Sequence, residues 1–578
     1  MGRTDQHLAL AAPRGPATRL RALLPQGADW AAARRAPGRN VIAGSTVALV
    51  ALPLALAFGA TSGLGAEAGL VTAVVAGAIA AIFGGSNLQV SGPTGAMTVV
   101  LVPVVHRFGP GAVLMVGAMA GVVLVVLAVL RLGRYVRYLP LPVVEGFTAG
   151  IALVIGLQQV PAALGIEGAH GEKVWAVAFD ALTGFAAAPA AGPLLVTTCV
   201  AGIVLAGTRW RPEVPFSLLA VGLATLAASV LPLHVALLGA LPSPISAPSL
   251  AFVDFGSFGA LLPSALAVAA LAALESLLSA TVADGMSVSQ RHDPDRELFG
   301  QGLANLAAPL FGGVPATGAI ARTAVNVRAG ASSKLSALVH AVILGTLVLS
   351  AGSLVALIPR AALAGVLLAT AARMVKVASL LALARATRGD AVVLALTFGV
   401  TVAVDLVTAV AVGVGVAVLL ALRAVARTAR LDEMPLETGD HSEEERALLA
   451  EHIMAYRLDG PLFFAAAHRF LLELTEIAHV RVVILRMSRV STIDATGATV
   501  LGDAITHLER RGIIVLLSGI AAEHDEVLSR LGVADHLRQD GLLFADTPHA
   551  IAHARELLRA RGTQPSARGA LAVAPSAS

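Results

Sequence analysis

The sequence predicts an α-helical polytopic membrane protein that carries a small α/β domain towards its C-terminal end. Of the 578 residues, 56% are hydrophobic and 13% are charged, and the mean hydropathy is +0.80. A soluble chain of this length uses fewer apolar residues. Apolar stretches alternate with short loops from about residue 41 to residue 428, and the composition turns polar after Leu431. The lipid bilayer is therefore the first predicted partner.

Several classes of function are disfavoured by the composition. The single cysteine, Cys199, leaves no intramolecular disulfide and no cysteine cluster. The net charge is +4, but the arginines are spread along loop edges without interleaved aromatic residues, so no nucleic-acid partner is predicted. The fifteen histidines show no metal-ligand spacing, and no phosphate-binding glycine loop links a strand to a helix. We predict no metal, no cofactor and no enzymatic activity.

The chain begins with a basic segment, residues 1–39, that lacks the apolar core of a signal peptide and is predicted to be a cytoplasmic arm. Residues 40–430 form the predicted membrane domain, with about fourteen apolar segments. These segments are approximately 41–62, 66–84, 93–106, 110–130, 141–163, 189–208, 215–232, 258–283, 296–311, 319–331, 335–357, 360–376, 389–406 and 408–427.

The third and tenth segments are too short to cross a bilayer, and each follows a polar, glycine-rich entry. The first entry is GGSNLQVSGPTGAMT (84–98), and the second is GGVPATGAIARTAVN (312–326). They stand seven segments apart, and interrupted segments in matching positions indicate inverted repeats with a site near the bilayer midplane. Ordinary Gly/Pro kinks between packed helices are the alternative interpretation.

The positive charges predict the orientation. Counted from a cytoplasmic N-terminus, the loops on the cytoplasmic side carry Arg131, Arg134, Arg137, Arg209, Arg211, Arg291, Arg296, Arg328, Lys334, Arg385, Arg388, Arg423, Arg427 and Arg430. The opposite loops carry Arg107, Lys173 and Arg360. This bias predicts an even number of spans with both termini in the cytoplasm.

Glu275 is the only charged residue between Asp254 and Asp284, and it lies inside the eighth segment. A charge at this depth is costly and normally faces a protein interior or a watered cavity. Ser279 and Ala272 share its helix face. The segment is therefore a candidate wall of a transport site. A structural ion pair, or a neutral hydrogen-bonded carboxyl group, are the two alternatives for Glu275.

The starts of the two short helices form a candidate anion site, because a helix N-terminus offers free N–H groups and partial positive charge. Pro93 suits a first helical position. The residues expected to expose amides are Thr94, Gly95, Ala319, Ile320 and Ala321. Gly318 allows close backbone approach. Arg322 either contributes positive charge to this site or pairs with Glu275. Asp405 is expected to cap the last span.

After the membrane domain we predict a linker (431–451), an α/β domain (452–560) and a disordered tail (561–578). Predicted strands lie at 453–460, 462–466, 481–488, 512–520 and 542–545. Predicted helices lie near 467–477, 496–510, 521–531 and 548–560.

Several motifs resemble the SulP family of anion transporters over residues 40–560. They are AGSTVALVALPLALAFGATSG in the first segment, QVSGPTGAMT in the third, and the run from Glu275 through RHDPDRELFGQGLANLAAPLFGG to VPATGAIARTAVN. The C-terminal domain resembles the STAS domain of these carriers. The resemblance implies a seven-plus-seven inverted repeat with core and gate domains, an elevator-like movement and a homodimer.

By the same resemblance, the anion lies between segments three and ten, beside segments one and eight. Carried over by position, the lining residues are Phe58, Thr94, Glu275, Ser279 and the run Ala319–Arg322. Hydrophobic residues of segments five and twelve would form the gate.

Three departures from the family pattern affect the expected chemistry. Leu54 replaces a common glutamine. Glu275 and Ile320 stand where sodium-coupled members have an aspartate and a hydroxyl, so a sodium site loses oxygen ligands, and a buried glutamate suits proton coupling instead. In the motif DATG, Ala495 replaces the serine that is phosphorylated in anti-sigma-antagonist relatives.

We therefore predict an inner-membrane secondary transporter for a small anion such as sulfate, bicarbonate or a C4-dicarboxylate. Glu275 is the predicted proton-coupling group. The alternatives are a sodium-coupled bicarbonate carrier and a membrane-anchored STAS regulator that keeps the transport fold as a scaffold. Nucleobase–proton symport is disfavoured, because residues 312–326 hold no second acid.

Overall fold

The computed structural model describes residues 21, 23–168, 173–211, 214–239, 247–287, 290–350, 352–428, 430–434, 452–463 and 480–560. Five predicted features lie wholly or mostly outside these residues: residues 1–20 of the arm, most of the linker, the strand at 462–466, the helix near 467–477, and the tail. The chain divides into two compact units, Met1–Gly415 and Val416–Ser578, which are described separately.

Among its described residues, the first half of the membrane unit contains helices for the seven predicted segments in order, together with two further helices. After α1 (Ala31–Arg35) come α2 (Pro37–Thr61), α3 (Ala66–Phe83), α4 (Gly95–Phe108), α5 (Pro110–Val129), α6 (Leu141–Leu164), α7 (Val174–Ala187), α8 (Ala191–Trp210) and α9 (Phe216–Val230).

The second half repeats this order with the same interruption at its third helix. Its helices are α10 (Phe258–Met286), α11 (Pro294–Ala307), α12 (Ile320–Arg328), α13 (Leu335–Ser350), α14 (Gly352–Ala356), α15 (Arg360–Met374), α16 (Val377–Ala386), α17 (Arg388–Ala403) and α18 (Leu406–Thr428). The residues of α18 after Gly415 belong to the second unit. Asp405 accepts the N–H of Thr408 at 2.9 Å, so its predicted capping role is confirmed.

Eight helical stretches among the described residues are long and apolar enough to cross a membrane. They are Pro37–Thr61, Ala66–Phe83, Pro110–Val129, Leu141–Leu164, Ala191–Trp210, Phe255–Met286, Arg360–Ala386 and Thr408–Ala426. Shorter apolar helices include α4, α7, α9 and α13. The protein is a helical polytopic membrane protein with the predicted interruptions.

Two helices of ten or more residues in the membrane unit were not predicted from the sequence, α7 after the fifth span and α16 after the twelfth. At 14 and 10 residues they are shorter than a bilayer crossing, so a search for crossing segments passes over them. They occupy matching places in the two halves, which extends the internal repeat beyond the two interrupted helices.

The two polar entries meet as a short antiparallel pair, β1 (Ser91–Gly92) and β2 (Thr317–Gly318). All four residues are buried. Antiparallel pairing of corresponding strands is the geometry that an inverted repeat requires, because the two halves enter the membrane in opposite directions. Non-helical backbone is tolerated at this depth because protein surrounds it.

The second unit contains a five-stranded sheet in the order β3 (Arg430–Met434), β4 (Ile453–Leu462), β5 (Val482–Ile493), β6 (Ile514–Ser518) and β7 (Leu543–Phe544). The helices α19 (Ala495–Arg510), α20 (Ala522–Arg530), α21 (Asp535–Gln539) and α22 (Thr547–Ala560) accompany it. The pairs from β4 to β7 are parallel, as in an α/β domain.

The sheet begins earlier than predicted. Residues 431–434 were predicted as linker, but they form most of β3 and pair antiparallel with β4. Their charged composition hid the strand, although charged residues are common on an edge strand, where they discourage further pairing.

Candidate functional site

The crossing of β1 and β2 holds the two interrupted halves together. Val90 donates its N–H to the Thr323 hydroxyl at 3.0 Å, and its carbonyl accepts the N–H of Ala319 at 2.9 Å. The expectation that Ala319 exposes its amide is therefore wrong, because the carbonyl of Val90, the residue before β1, accepts it. Gly318 is packed so tightly that a Cβ there would lie 1.9 Å from the Gln89 side-chain nitrogen.

The two short helices begin beside this crossing. α4 starts at Gly95, with Thr94 as its N-cap, so Pro93 is not the first helical residue as predicted. The Thr94 hydroxyl accepts the N–H of Met97 at 3.4 Å, while the geometry of a helix start leaves the amides of Gly95 and the next residue without intrahelical partners.

α12 starts at Ile320, and its N-cap provides no side-chain hydrogen bond. Ile320 and Ala321 are exposed, Ile320 at 40%, so the start of this helix faces open space. The starts of two helices thus lie beside one buried strand crossing, that of α4 buried and that of α12 exposed. Paired helix N-termini suit an anion.

Glu275 of α10 joins this arrangement through Thr94. The Thr94 hydroxyl donates to a Glu275 carboxyl oxygen at 2.9 Å. No ion pair within 4.0 Å involves Glu275 among the described residues. The structural ion pair considered from the sequence is therefore absent from this part of the chain, and Glu275 is bonded to the N-cap residue of α4.

Arg322 is 2% exposed and lies on the first turn of α12. One terminal nitrogen donates to the carbonyl oxygen of Pro93, just before α4. Within the described residues, its other terminal nitrogen has no hydrogen-bond partner. Of the two roles considered, the contacts favour a positive charge held between the helix starts over a direct pair with Glu275.

Hydroxyl groups along α10 support the crossing. Ser279, a predicted lining residue, is fully buried and donates to the Thr323 hydroxyl at 3.0 Å, so it contacts α12. Ser276 was missed by the sequence analysis: its hydroxyl accepts the Gly318 N–H at 2.9 Å and lies 2.9 Å from the Thr317 hydroxyl. Serines three residues apart on the helix that carries the lone acid were the available signal.

Apolar side chains close the site on the side of α4. A Cβ at Gly95 would lie 3.0 Å from a ring carbon of Phe58 on α2 and 2.3 Å from Cδ1 of Ile155 on α6. The predicted lining residue Phe58 and a side chain of the predicted gate therefore both reach the start of α4.

A large cavity, about 1870 Å³, opens beyond this apolar contact. Its walls come from the C-terminal ends of α2, α4 and α6 and from the start of α15. Its ionisable lining residues are Glu67, His106, Arg107, Glu167, Lys173, His234, Arg360 and Asp405. All belong to the side of the bundle that the charge bias predicts to face away from the cytoplasm.

The fold defines the class of protein: a polytopic helical membrane protein whose two interrupted helices meet at a buried strand crossing, followed by a small α/β domain. Residues 38–397 match the family model described as the sulfate permease family, and residues 447–550 match that of the STAS domain. The chain belongs to the sulfate permease family, a family of multi-pass membrane transporters of sulfate and bicarbonate.

Two proteins with similar sequences are transporters by name. The chain is 35% identical over 511 residues to the putative sulfate transporter YvdB of Bacillus subtilis (strain 168), covering 86% of this chain and 94% of that protein. It is 30% identical over 532 residues to the bicarbonate transporter BicA of Picosynechococcus sp., covering 88% and 93%.

Solved structures show the same fold. The transmembrane domain of a cyanobacterium bicarbonate transporter BicA superposes with a TM-score of 0.60 at 31% identity, covering 65% of this chain and 98% of that one. The murine Slc26a9 anion transporter in the inward-facing state superposes with a TM-score of 0.81 at 16% identity, covering 95% and 97%.

Proposed function

We propose that the protein is a secondary active transporter of a small anion, bound between the N-termini of α4 and α12. The observation that carries the proposal is the meeting of four features at one crossing: two helix starts, the Arg322 guanidinium, and the Glu275 carboxyl group bonded to the cap of α4. Sulfate, bicarbonate and C4-dicarboxylates are the candidate substrates, and the names of the relatives YvdB and BicA favour the first two.

Glu275 is the proposed proton-coupling residue. An anion at the α4 amides and an ionised Glu275 on the cap of the same helix would repel each other. Two unit charges about 4 Å apart interact by ~4 kcal/mol where the effective dielectric constant is near 20. The loaded site therefore favours a protonated Glu275, and the empty site tolerates the carboxylate. Binding the anion and the proton together is the basis of symport.

Movement of the anion is proposed to follow an elevator-like shift of the core helices against the gate helices. The contact of Ile155 with the start of α4 lies at the boundary between the two groups and supports this proposal. We also propose a homodimer in the inner membrane with both termini in the cytoplasm.

The test is uptake of labelled bicarbonate, sulfate and fumarate into proteoliposomes, with an inward proton gradient, an inward sodium gradient or neither. We expect one anion to accumulate with the proton gradient in the wild type, and Glu275→Gln to exchange that anion without accumulating it. Glu145→Gln is the matched control, because Glu145 lies on α6 and pairs with Lys376 at 3.7 Å.

Undiminished accumulation by Glu275→Gln would make Glu275 structural. Accumulation driven by sodium alone would favour the sodium-coupled carrier, and no uptake of any anion would favour the membrane-anchored regulator.

A further inference from the structure

α11 (Pro294–Ala307) carries a polar face that is buried inside the membrane unit. Glu297, Gln301 and Asn305 follow one another at intervals of four residues and therefore share one side of the helix. Glu297 is 2% exposed, and the other two are fully buried. Polar groups buried this deeply need partners, so their contacts identify what this face does.

Glu297 accepts four hydrogen bonds. One carboxyl oxygen accepts the backbone N–H groups of Gly85 and Ser86 at 2.9 and 3.0 Å. The other accepts the side-chain amides of Gln89 at 2.8 Å and of Gln301 at 2.9 Å. Three of these donors lie in the polar entry that leads into β1, so Glu297 fixes that entry at its beginning.

The other two side chains reach the strands themselves. Gln301 donates to the hydroxyl of Ser91, in β1, at 2.6 Å. Asn305 holds Ala316, the residue before β2, by two hydrogen bonds of 2.8 Å: it accepts the Ala316 N–H and donates to the Ala316 carbonyl. One helix face therefore contacts both halves of the crossing.

We propose that Glu297, Gln301 and Asn305 are positioning residues that fix the register of β1 against β2, and through it the separation of the α4 and α12 N-termini. They touch no part of the proposed anion site. They act by holding the segments that deliver its two helix starts. This inference rests on the proposed function, because it makes α11 responsible for the separation of the two helix starts between which the anion would bind.

The hydrogen bonds from α11 hold β1 and β2 at a fixed position relative to each other. The same helix holds Ser91 and Ala316, so a shift of one strand against the other would break hydrogen bonds at Gln301 or Asn305. The polar groups released by such a shift would find no other hydrogen-bond partner in the buried interior. A site whose two anion-binding ends are held at a fixed separation discriminates anions by size, as a binding difference between substrates.

The test compares Asn305→Ala and Ser91→Ala with the wild type. Thr197→Val is the matched control, because the Thr197 hydroxyl makes one buried hydrogen bond, 2.9 Å to the Ala361 carbonyl, away from the crossing. Two measurements are made: hydrogen exchange of the amides in residues 84–92 and 312–319, and the KM values for two transported anions of different radius.

We expect faster exchange in both segments for Asn305→Ala, and in 84–92 for Ser91→Ala. The ratio of the two KM values should change by about tenfold, the equivalent of one buried hydrogen bond. Thr197→Val should alter neither quantity. Ser91→Ala removes one bond only and serves if Asn305→Ala fails to fold.

Unchanged exchange in both segments would overturn the inference, as would KM values for the two anions that rise by the same factor. A wild-type protein that transports no anion would instead remove the proposed function. The exchange rates then still decide whether α11 holds the crossing.

Discussion

At the scale of single residues, Gly95 controls how closely the predicted gate approaches the start of α4. A Cβ at this position would lie 2.3 Å from Cδ1 of Ile155, closer than side-chain atoms approach one another. The absent side chain thus lets α4 and α6 touch at the candidate site.

We expect Gly95→Ala to lower the rate of anion uptake about tenfold, because the added methyl group overpacks this contact, at a cost of roughly 1–3 kcal/mol. Ile155→Val removes the Cδ1 atom and should restore part of the rate when combined with Gly95→Ala. Initial uptake rates of both single variants and the double variant measure this. Strictly additive effects would show that the two residues do not meet during transport.

Some of the site could be predicted from single residues, and some could not. Glu275 and Arg322 stand out because a charge in an apolar run is visible without a fold. The occupation of the Ala319 amide was not predictable, because its acceptor, the carbonyl of Val90 just before β1, lies in the other half of the chain. The start of α4 was misplaced by two residues, since the helix uses Thr94 as its cap and leaves Pro93 in the extended entry.

At the scale of elements, the segment before α2 is fastened to the membrane unit by Asp29. Asp29 forms a bidentate ion pair with Arg296 at the start of α11, and its carboxylate oxygen lies 4.0 Å from the Lys334 ammonium nitrogen. Burial alone would raise the pKa of Asp29, but Arg296, the Gln26 amide and Lys334 outweigh burial and hold that pKa below its ordinary value of 3.8.

A lowered pKa fixes the direction of the pH dependence. The docking contributed by Asp29 is fully present above the ordinary aspartate pKa and is lost as the pH falls through the lowered native value. We expect Trp30 fluorescence, recorded in a Trp175→Phe/Trp210→Phe chain, to report release of the segment only in that acid range. Asp29→Asn should show the released signal at neutral pH, whereas Asp254→Asn, at an exposed carboxylate, should not.

The sequence predicts elements well where apolar length defines them, as in α2, α3, α5 and α6. It predicts the segment of α11 but not the contacts of its polar side chains, because the partners of Glu297 and Gln301 in the first polar entry lie some 200 residues away in the chain. An interval of four between buried polar residues was the available signal. It identifies a polar helix face but not the strands which that face holds.

At the scale of the whole molecule, the charge bias predicts that the cavity of about 1870 Å³ opens on the side of the membrane away from the cytoplasm. In a Cys199→Ser background, Glu167→Cys at the cavity should react with a membrane-impermeant maleimide in intact bacterial cells. Arg385→Cys, which is exposed at the opposite end, should react only after permeabilisation. The reverse labelling pattern would invert the proposed topology and place both termini outside the cytoplasm.

The two-unit division supports a second prediction at this scale. Deletion of residues 436–578 should leave anion uptake with an unchanged KM, because all the proposed site residues lie in the first unit. The structure of the transmembrane domain of a BicA transporter, to which 65% of this chain corresponds, shows that such a domain exists as a separate folded body. Loss of uptake by a deletion variant that remains folded would favour the regulatory reading of the STAS domain.

The contact of Glu297 with the first polar entry also bears on the order of synthesis. The amides of Gly85 and Ser86 leave the ribosome 212 and 211 residues before the carboxylate that will accept them. At about 5–20 residues per second this delay lasts ~10–40 s. During that interval, water or the insertion machinery must solvate these groups, so the first seven spans cannot complete their own share of the site. The first polar entry can therefore reach its final hydrogen-bonded structure only after the second half of the chain has entered the membrane.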